Sequence, residues 1–522
     1  MTNQFDVAVV GGGFAGSLFA LAAKRAGRSV VLIEKARHPR FAIGESTSPL
    51  ANLLLEGLCD DYGLDRVRPL TAFGSWRRER PEIDCGLKRG FTFFSHREGE
   101  PWARGPARES ELLVAASPND EVADTHWLRA DVDAFLFSEA RREGVECIEE
   151  TRAESMEADS GSWVLSTPAP IRARFVVDAS GPRGFLQRAL GIGEARFEGL
   201  PRVEGLFSHF RNAGPFPFPS GSNGETPPYP PDAAAVHHVL DGGWVWALRF
   251  ESGLVSAGVA AVPSLARSLR LEEGAAAWAR LLDRYPSLRE QFGRAEPTRD
   301  FTCSPCLSYR ASHASGPAWT MLPSAAAFVD PLLSTGIPLA LAGVHRLARI
   351  VDREWDQPDF DENIAAAGRR TLAEADAAGL LVAALYAAMG DFELFTALTL
   401  LYFAAASFAE AATRLGRPSG SRGFLLIDHH GFAPAFRRVC RDVLQSSSAG
   451  NLHTRRREIL LAVSAAIEPV DVIGLAAPGR RNWHPFENEA LLEGAGKLGA
   501  TRSEVSEMLA RCAAAPAART LG

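Results

Sequence analysis

Along the first 34 residues the apolar and polar positions fall into one continuous unit. An apolar, β-rich run from Phe5 to Val10 enters a glycine cluster, apolar residues recur at helical spacing at Leu18, Leu21 and Ala22, and a second apolar run closes on Glu34. This order predicts strand, tight turn, helix and parallel strand, a βαβ unit. A loop over residues 35–49 follows, then a helical pattern through Leu53, Leu54, Leu55 and Leu58. Residues 72–97 read as strand-like aromatic alternation, with Phe91, Phe93 and Phe94 after Lys88-Arg89-Gly90. Residues 125–143 carry apolar positions at helical spacing and end at a glycine. Phe175 to Asp178 is an apolar run closing on an acid and Gly181, which predicts a further parallel strand arriving at a ligand.

The pattern changes over residues 200–265. Two turn signals, Asp241-Gly242-Gly243 and Glu251-Ser252-Gly253, separate β-rich runs and predict an antiparallel sheet forming a substrate-side layer. A Pro/Gly/Ser-rich loop, residues 213–231, precedes it and reads as loose chain. Around Phe328 a strand-like run meets Asp330-Pro331 and a small-residue turn, with a helix from Pro338 onward. From there the pattern is mostly helical, ending in a frayed tail. Leu394 to Ala412 is the most apolar later stretch, but it contains Glu410, is rich in Ala and Ser and is short for a membrane span, so it reads as a buried helix. The expected organisation is a discontinuous first domain (1–80, 120–195 and 320–345), a β-rich layer (81–119 and 196–319) and a C-terminal helical region (346–522).

Bulk composition narrows the class. A chain of 522 residues can hold two or three domains, and 46% hydrophobic with 23% charged residues is the balance of a soluble globular protein. The net charge of -7, with basic residues scattered, leaves no footprint for nucleic acid. Seven cysteines without dense spacing point to a reducing compartment. Met1-Thr2-Asn3-Gln4 runs directly into the first strand without a signal peptide, and a cytoplasmic location is expected.

The glycines of the first unit have separate duties. Gly11 permits the tight turn, Gly13 lets the backbone approach a pyrophosphate, and Gly16 lets the helix sit against the strand. The pyrophosphate would rest on the helix N-terminus, and Glu34, 18 residues after Gly16, is near the spacing for a ribose acceptor. NAD and FAD share this logic. Arg129 and Asp133 on the helix of residues 125–143, the carboxylate of Asp330 before a helix start, and the lack of a second glycine fingerprint lean toward FAD. Cys303 and Cys306 have CxxC spacing but no second pair, and His237-His238 and His429-His430 lack spaced metal-ligand partners, so these read as packing or turn residues. Trp244 and Trp246 share one face of a strand.

Taken together, Gly11 to Gly16, Gly44-Glu45-Ser46-Thr47, Lys88 in GLKRGFTFF, Trp244-Val245-Trp246 and FVDPLLSTG from Phe328 to Gly336 resemble the flavin-dependent halogenases. LIDHHGF and GLAAPGRRNWHP have the look of that family's C-terminal region. The resemblance implies an α/β (α+β) fold, a Rossmann-like FAD-binding domain of the two-domain flavoprotein monooxygenase type. It implies FAD held by Gly11, Gly13, Ala15, Gly16, Ser17, Glu34, Lys35, Ile43, Glu45, Ser46, Arg129, Asp330, Gly336 and Ile337. It also implies chloride or bromide held by the N–H groups of Thr335 and Gly336, and Lys88 as the catalytic residue that holds or activates hypohalous acid. A separate flavin reductase would supply reduced FAD. Tryptophan halogenases carry a glutamate where this chain has Leu333, and Leu248-Arg249 replaces the Ile-Pro of their WxWxIP motif. The implied substrate is therefore a phenol, a pyrrole or a carrier-bound aromatic, with no nucleic-acid partner and no membrane span. The alternatives are an FAD monooxygenase that hydroxylates a ring or a protein side chain, and a flavoprotein kept for binding or redox sensing.

Overall fold

A computed structural model describes residues 3–218, 226–417, 423–477 and 480–513. The strand Asn3–Val10 lies in the middle of a parallel sheet between Ile171–Asp178 and Val30–Ile33, with Glu146–Ile148 beyond one and Trp319–Met321 beyond the other. The three central strands are fully buried over Val7 to Val10, Val30 to Ile33 and Phe175 to Val177, as a parallel sheet with covered faces requires, whereas Glu146–Ile148 at the edge is only partly buried. The hairpin Met156–Asp159 and Ser162–Leu165 adds antiparallel to Ile171–Asp178. Helix Phe14–Arg25 packs between helices Arg129–Arg142 and Gly336–Arg353, so residues more than 300 apart in sequence meet over one sheet.

The second sheet has nine strands and is built round Glu204–Arg211, Val255–Ala261, Gly243–Arg249 and Ala235–Leu240, continued by Gly90–Ser95 and Glu111–Ala115. Its two faces separate by the period of two. Phe91, Phe93, Trp244 and Trp246 face helices Phe360–Ala388 and Phe392–Arg414, while Phe94, Val245 and Ala247 face Trp278, Leu281 and Phe292. The apolar windows of those two long helices are 83% and 67% buried inside the protein, which makes them core helices.

A two-stranded ribbon, Cys85–Lys88 against Asp124–Trp127, joins the two sheets. Here the observed elements differ from the pattern. Residues 73–79 form a helix because Phe73 and Trp76, three apart, both turn inward, and Trp76 Nε1 donates to Ile83 O at 2.9 Å. The helix expected from 125 begins at Arg129, since Thr125 and His126 are drawn into the ribbon, where Thr125 N donates to Thr47 Oγ1 at 3.1 Å. The late helix starts at Gly336, two residues before Pro338. Trp483–His484 interrupts the helical C-terminal region and adds a parallel edge strand to Glu111–Ala115, held by Trp483 Nε1 donating to Glu111 Oε1 at 2.8 Å. Part of the loop of residues 213–231 and most of the C-terminal tail lie outside the described residues.

Candidate active site

At the end of Asn3–Val10 the chain turns through Gly11 with φ +112°, and a Cβ there would lie 2.4 Å from Ala179 O. A Cβ on Gly16 would lie 2.0 Å from Gly11 O, so helix and turn touch through backbone alone. Gly13 is different: a Cβ would meet only side-chain ends, Arg40 Nη2 at 3.4 Å, Arg129 Nη2 at 3.5 Å and Asp133 Oδ2, itself paired with Arg129, at 3.6 Å. Its side of the turn is open toward cations, which fits an anion on the helix N-terminus. Ala15 is buried, and Ser17 Oγ donates back to Gly12 O at 3.2 Å.

Glu34 is fully enclosed. Its Oε2 accepts from Gly12 N at 2.9 Å and Arg40 Nη2 at 3.1 Å, and its Oε1 accepts from Ala36 N at 3.0 Å. Burial works to raise its carboxyl, but the Arg40 charge and the two backbone donors outweigh it, and the group lies below its ordinary value. Lys35, next in sequence, points to solvent. Arg129 donates to both oxygens of Asp133 at 2.9 Å and to Ile43 O and Gly44 O at 2.9 and 3.2 Å, tying the GES loop to the helix. Phe14 N donates to Asp133 Oδ1 at 3.0 Å, so Asp133 caps the dinucleotide helix from another element. Glu45 Oε1 pairs with His209 Nε2 at 3.0 Å; Glu45 Oε2 and Ser46 Oγ are buried without a hydrogen-bond partner. Asp178, expected at a ligand, instead binds its own loop through Ser180 N, Ser180 Oγ and Leu186 N.

The far-downstream turn closes the site. Asp330 Oδ1 accepts from Leu332 N at 2.9 Å and Oδ2 from Tyr386 O–H at 2.9 Å, and the Tyr386 oxygen accepts from Trp244 Nε1 at 3.2 Å. Burial lifts the Asp330 carboxyl to about 6. Leu333 and Ser334 both adopt left-handed backbone, φ +65° and +54°, a conformation rare outside glycine and concentrated at functional turns. Helix Gly336–Arg353 starts directly after. Its first N–H groups have no partner within the helix, and Pro338 brings none, so the turn is an anion nest by construction. Thr335 and Ile337 are buried, whereas Gly336 is exposed and a Cβ on it would meet nothing within 4 Å.

Lys88 reaches this turn from the ribbon. It is fully buried, its Nζ donates to Thr47 O and, at 3.5 Å, to Ser334 Oγ, and it sits 3.7 Å from the Phe91 ring centroid. Burial draws the amine down to about 7. The GES loop, the lysine strand and the Ser-Thr-Gly turn thus converge on one nitrogen. Trp244 and Trp246 stand 5.6 Å apart in the core against the helices, with Trp244 tied to Asp330 through Tyr386. Arg40, Asp124, Tyr386 and His209 were not singled out in the sequence. Arg40 alone carried a signal, a cation six residues after the ribose-position acid.

The model of the FAD dependent oxidoreductase family matches residues 6–326. The chain belongs to that family. FAD is therefore its cofactor, and the open side of Gly13, the room at Gly336 and the unpartnered Glu45 Oε2 and Ser46 Oγ fit such a ligand. Among curated proteins the chain is similar to monodechloroaminopyrrolnitrin halogenase PrnC of Pseudomonas fluorescens, 28% identical over 76% of this chain and 70% of that one. It is likewise 28% identical to tetracycline 7-halogenase of Kitasatospora aureofaciens over 64% of this chain, and it spans 61% of that relative, under two thirds of its length. The fold matches the crystal structure of halogenase PltM in complex with phloroglucinol and FAD, with a TM-score of 0.79, 23% identity, and 91% of this chain and 99% of that one covered. This flavoprotein has no cluster of His, Cys, Asp and Glu able to hold a metal among its described residues.

Proposed function

We propose that this flavoprotein is a halogenase of activated aromatic rings, taking chloride or bromide as halide and a phenol, a pyrrole or a carrier-bound aromatic as substrate. The observation that carries the reading is the burial of Lys88 Nζ against Ser334, one residue before the Thr335-Gly336 nest. Reduced FAD, supplied by a separate reductase, would give two electrons to O2, and the oxygen so brought to the peroxide level would oxidise halide to hypohalous acid. Atoms and charge balance as ring C–H, halide, O2, reduced FAD and one proton giving ring C–halogen, oxidised FAD and two waters.

The chain's own groups do the rest. Gly13 and the helix N-terminus hold pyrophosphate, with Arg129 and Arg40 beside them. The N–H groups of Thr335 and Gly336 hold the halide. The lysine, poised by burial between amine and ammonium near neutral pH, holds the hypohalous acid by hydrogen bonding and keeps it from free diffusion. Leu333 offers no carboxylate at the turn, so the ring's own heteroatom supplies its activation. Names among the relatives support this substrate class, including a brominase of a pyrrole-2-carbonyl carrier protein. All seven cysteines are free, which supports a reducing compartment.

The test incubates the purified protein with FAD, a free flavin reductase, NADH and either halide over a panel of phenols and pyrroles, with product mass read out. A gain of halogen is expected. A gain of one oxygen without halogen, or oxidation of flavin without product, overturns the reading.

A further inference from the structure

Lys88 and Asp124 stand directly opposite one another in the ribbon register, at 0% and 2% exposure. Residues so paired in an antiparallel ladder put their side chains on the same face. Asp124 Oδ1 accepts from Asn52 Nδ2 at 2.9 Å, and its Oδ2 is buried with no hydrogen-bond donor. A half-satisfied carboxylate in a dry interior stays ionised only by virtue of a nearby cation. The lysine is anchored on Thr47 O and Ser334 Oγ, so it meets the acid through charge and not through a hydrogen bond.

We propose, building on the halogenase reading, that Asp124 is the positioning residue that sets the charge on Lys88. The remaining groups around the pair leave this role to it. On the ribbon itself His126, and on strand Ala235–Leu240 His237, are both driven to about 3 by burial and are neutral. On helix Phe392–Arg414, Glu410 and Arg414 pair with each other at 2.9 Å, and the buried Tyr402 phenol is raised out of range. At the turn, Asp330 is held by Leu332 N–H and Tyr386 O–H. Among the described residues, Asp124 is thus the charge that favours the ammonium form of Lys88 against burial. Burial raises the Asp124 carboxyl and lowers the Lys88 amine while each charge opposes the other's shift, so the two titrate as one coupled pair. Because Asp124 Oδ2 has no hydrogen-bond donor, the Lys88 charge is what compensates it, and removing the Asp124 charge leaves the ammonium form of Lys88 less favoured.

The sequence makes this measurable, because Lys24, Lys35, Lys88 and Lys497 are its only lysines. The full-length, FAD-saturated chain labelled with [ε-13C]lysine is titrated by NMR, with Lys88→Met assigning the Lys88 signal. Asp124→Asn keeps the acceptor for Asn52 and removes only the charge; the Lys88 midpoint should fall by on the order of one pH unit. The halogenation pH profile should shift the same way. Asn52→Ala, which withdraws the donor that helps Asp124 stay ionised, provides an independent variant and should give a smaller fall. A Lys88 midpoint that stays within about 0.3 unit in both variants, or rises, overturns the proposal. If the midpoint falls but the parent protein yields no halogenated product, the pair stands and the halogenase reading fails instead.

Discussion

Lys88 Nζ lies 3.5 Å from Ser334 Oγ, although 246 positions separate them in sequence. The amine comes from a ribbon linking the two sheets and the hydroxyl from the strained turn that opens helix Gly336–Arg353. Neither element could deliver both groups, so the site exists only when the two sheets are docked.

Replacing Lys88 by Met tests that junction. Met keeps the unbranched stem and removes the charge, so the core stays filled and FAD binding, measured by fluorescence titration, should be unchanged. Halogenated product should fall roughly 10²–10⁴-fold, the worth of a positioned acid–base group. A loss under about tenfold would make Lys88 a buried structural residue.

The fingerprint glycines should separate into two phenotypes. Gly16→Ala places a Cβ 2.0 Å from Gly11 O and should lower both thermal stability and FAD affinity. Gly13→Ala meets side-chain atoms of Arg40, Arg129 and Asp133 at 3.4–3.6 Å, ordinary contact distance, so ligand-free stability should move by less than about 1 kcal/mol. FAD should nevertheless bind at least tenfold more weakly, because the added methyl occupies the approach to pyrophosphate. Equal losses of stability in the two variants would show that Gly13 is needed by the turn and not by the ligand.

The βαβ unit, the antiparallel sheet and the long core helices were legible because their periodicity is local. The glycine duties at Gly11 and Gly16 were legible for the same reason: a fixed turn geometry admits one residue type. What escaped was set by distant contacts. Thr125 and His126 fit a helical pattern, yet pairing with Cys85–Lys88 made them a strand. Trp483–His484 is too short to show a period, and only its partner strand defines it. Asp330 was expected to hold FAD; that its oxygens also accept from Leu332 N–H and Tyr386 O–H was hidden, because Tyr386 has no motif around it to announce that contact.

Arg40 is expected to govern the acid limb of stability as well as cofactor affinity. Its Nη2 lies 3.1 Å from Glu34 and its Nη1 3.6 Å from Asp133. Because the folded Glu34 carboxyl lies below its ordinary value of 4.5, its contribution is present above that value and is lost as pH falls through the lower folded value. Arg40→Ala should weaken FAD binding and flatten the fall in thermal midpoint below about pH 4.5. A parallel acid limb in the two proteins would exclude Arg40 as the stabilising charge.

Tyr386→Phe tests the network behind the turn. Asp330 is buried and its carboxyl is raised from 3.8 to about 6, so the folded state binds its proton more tightly than the unfolded chain does. Below 3.8 Asp330 imposes no penalty, and stability declines as pH rises through the interval up to about 6. Tyr386 limits that decline by donating to Oδ2 at 2.9 Å. Phe keeps the ring in the core but removes the hydroxyl that donates to Asp330 Oδ2 and accepts from Trp244 Nε1, which should cost roughly 1–3 kcal/mol. The cost should be greater at pH 8, where Asp330 is ionised, than at pH 5, where a protonated carboxyl needs the donor less. Denaturant unfolding at the two pH values measures the difference. An equal loss at both would mean that Tyr386 serves Trp244 alone and that the Asp330 charge is held by Leu332 N–H without it.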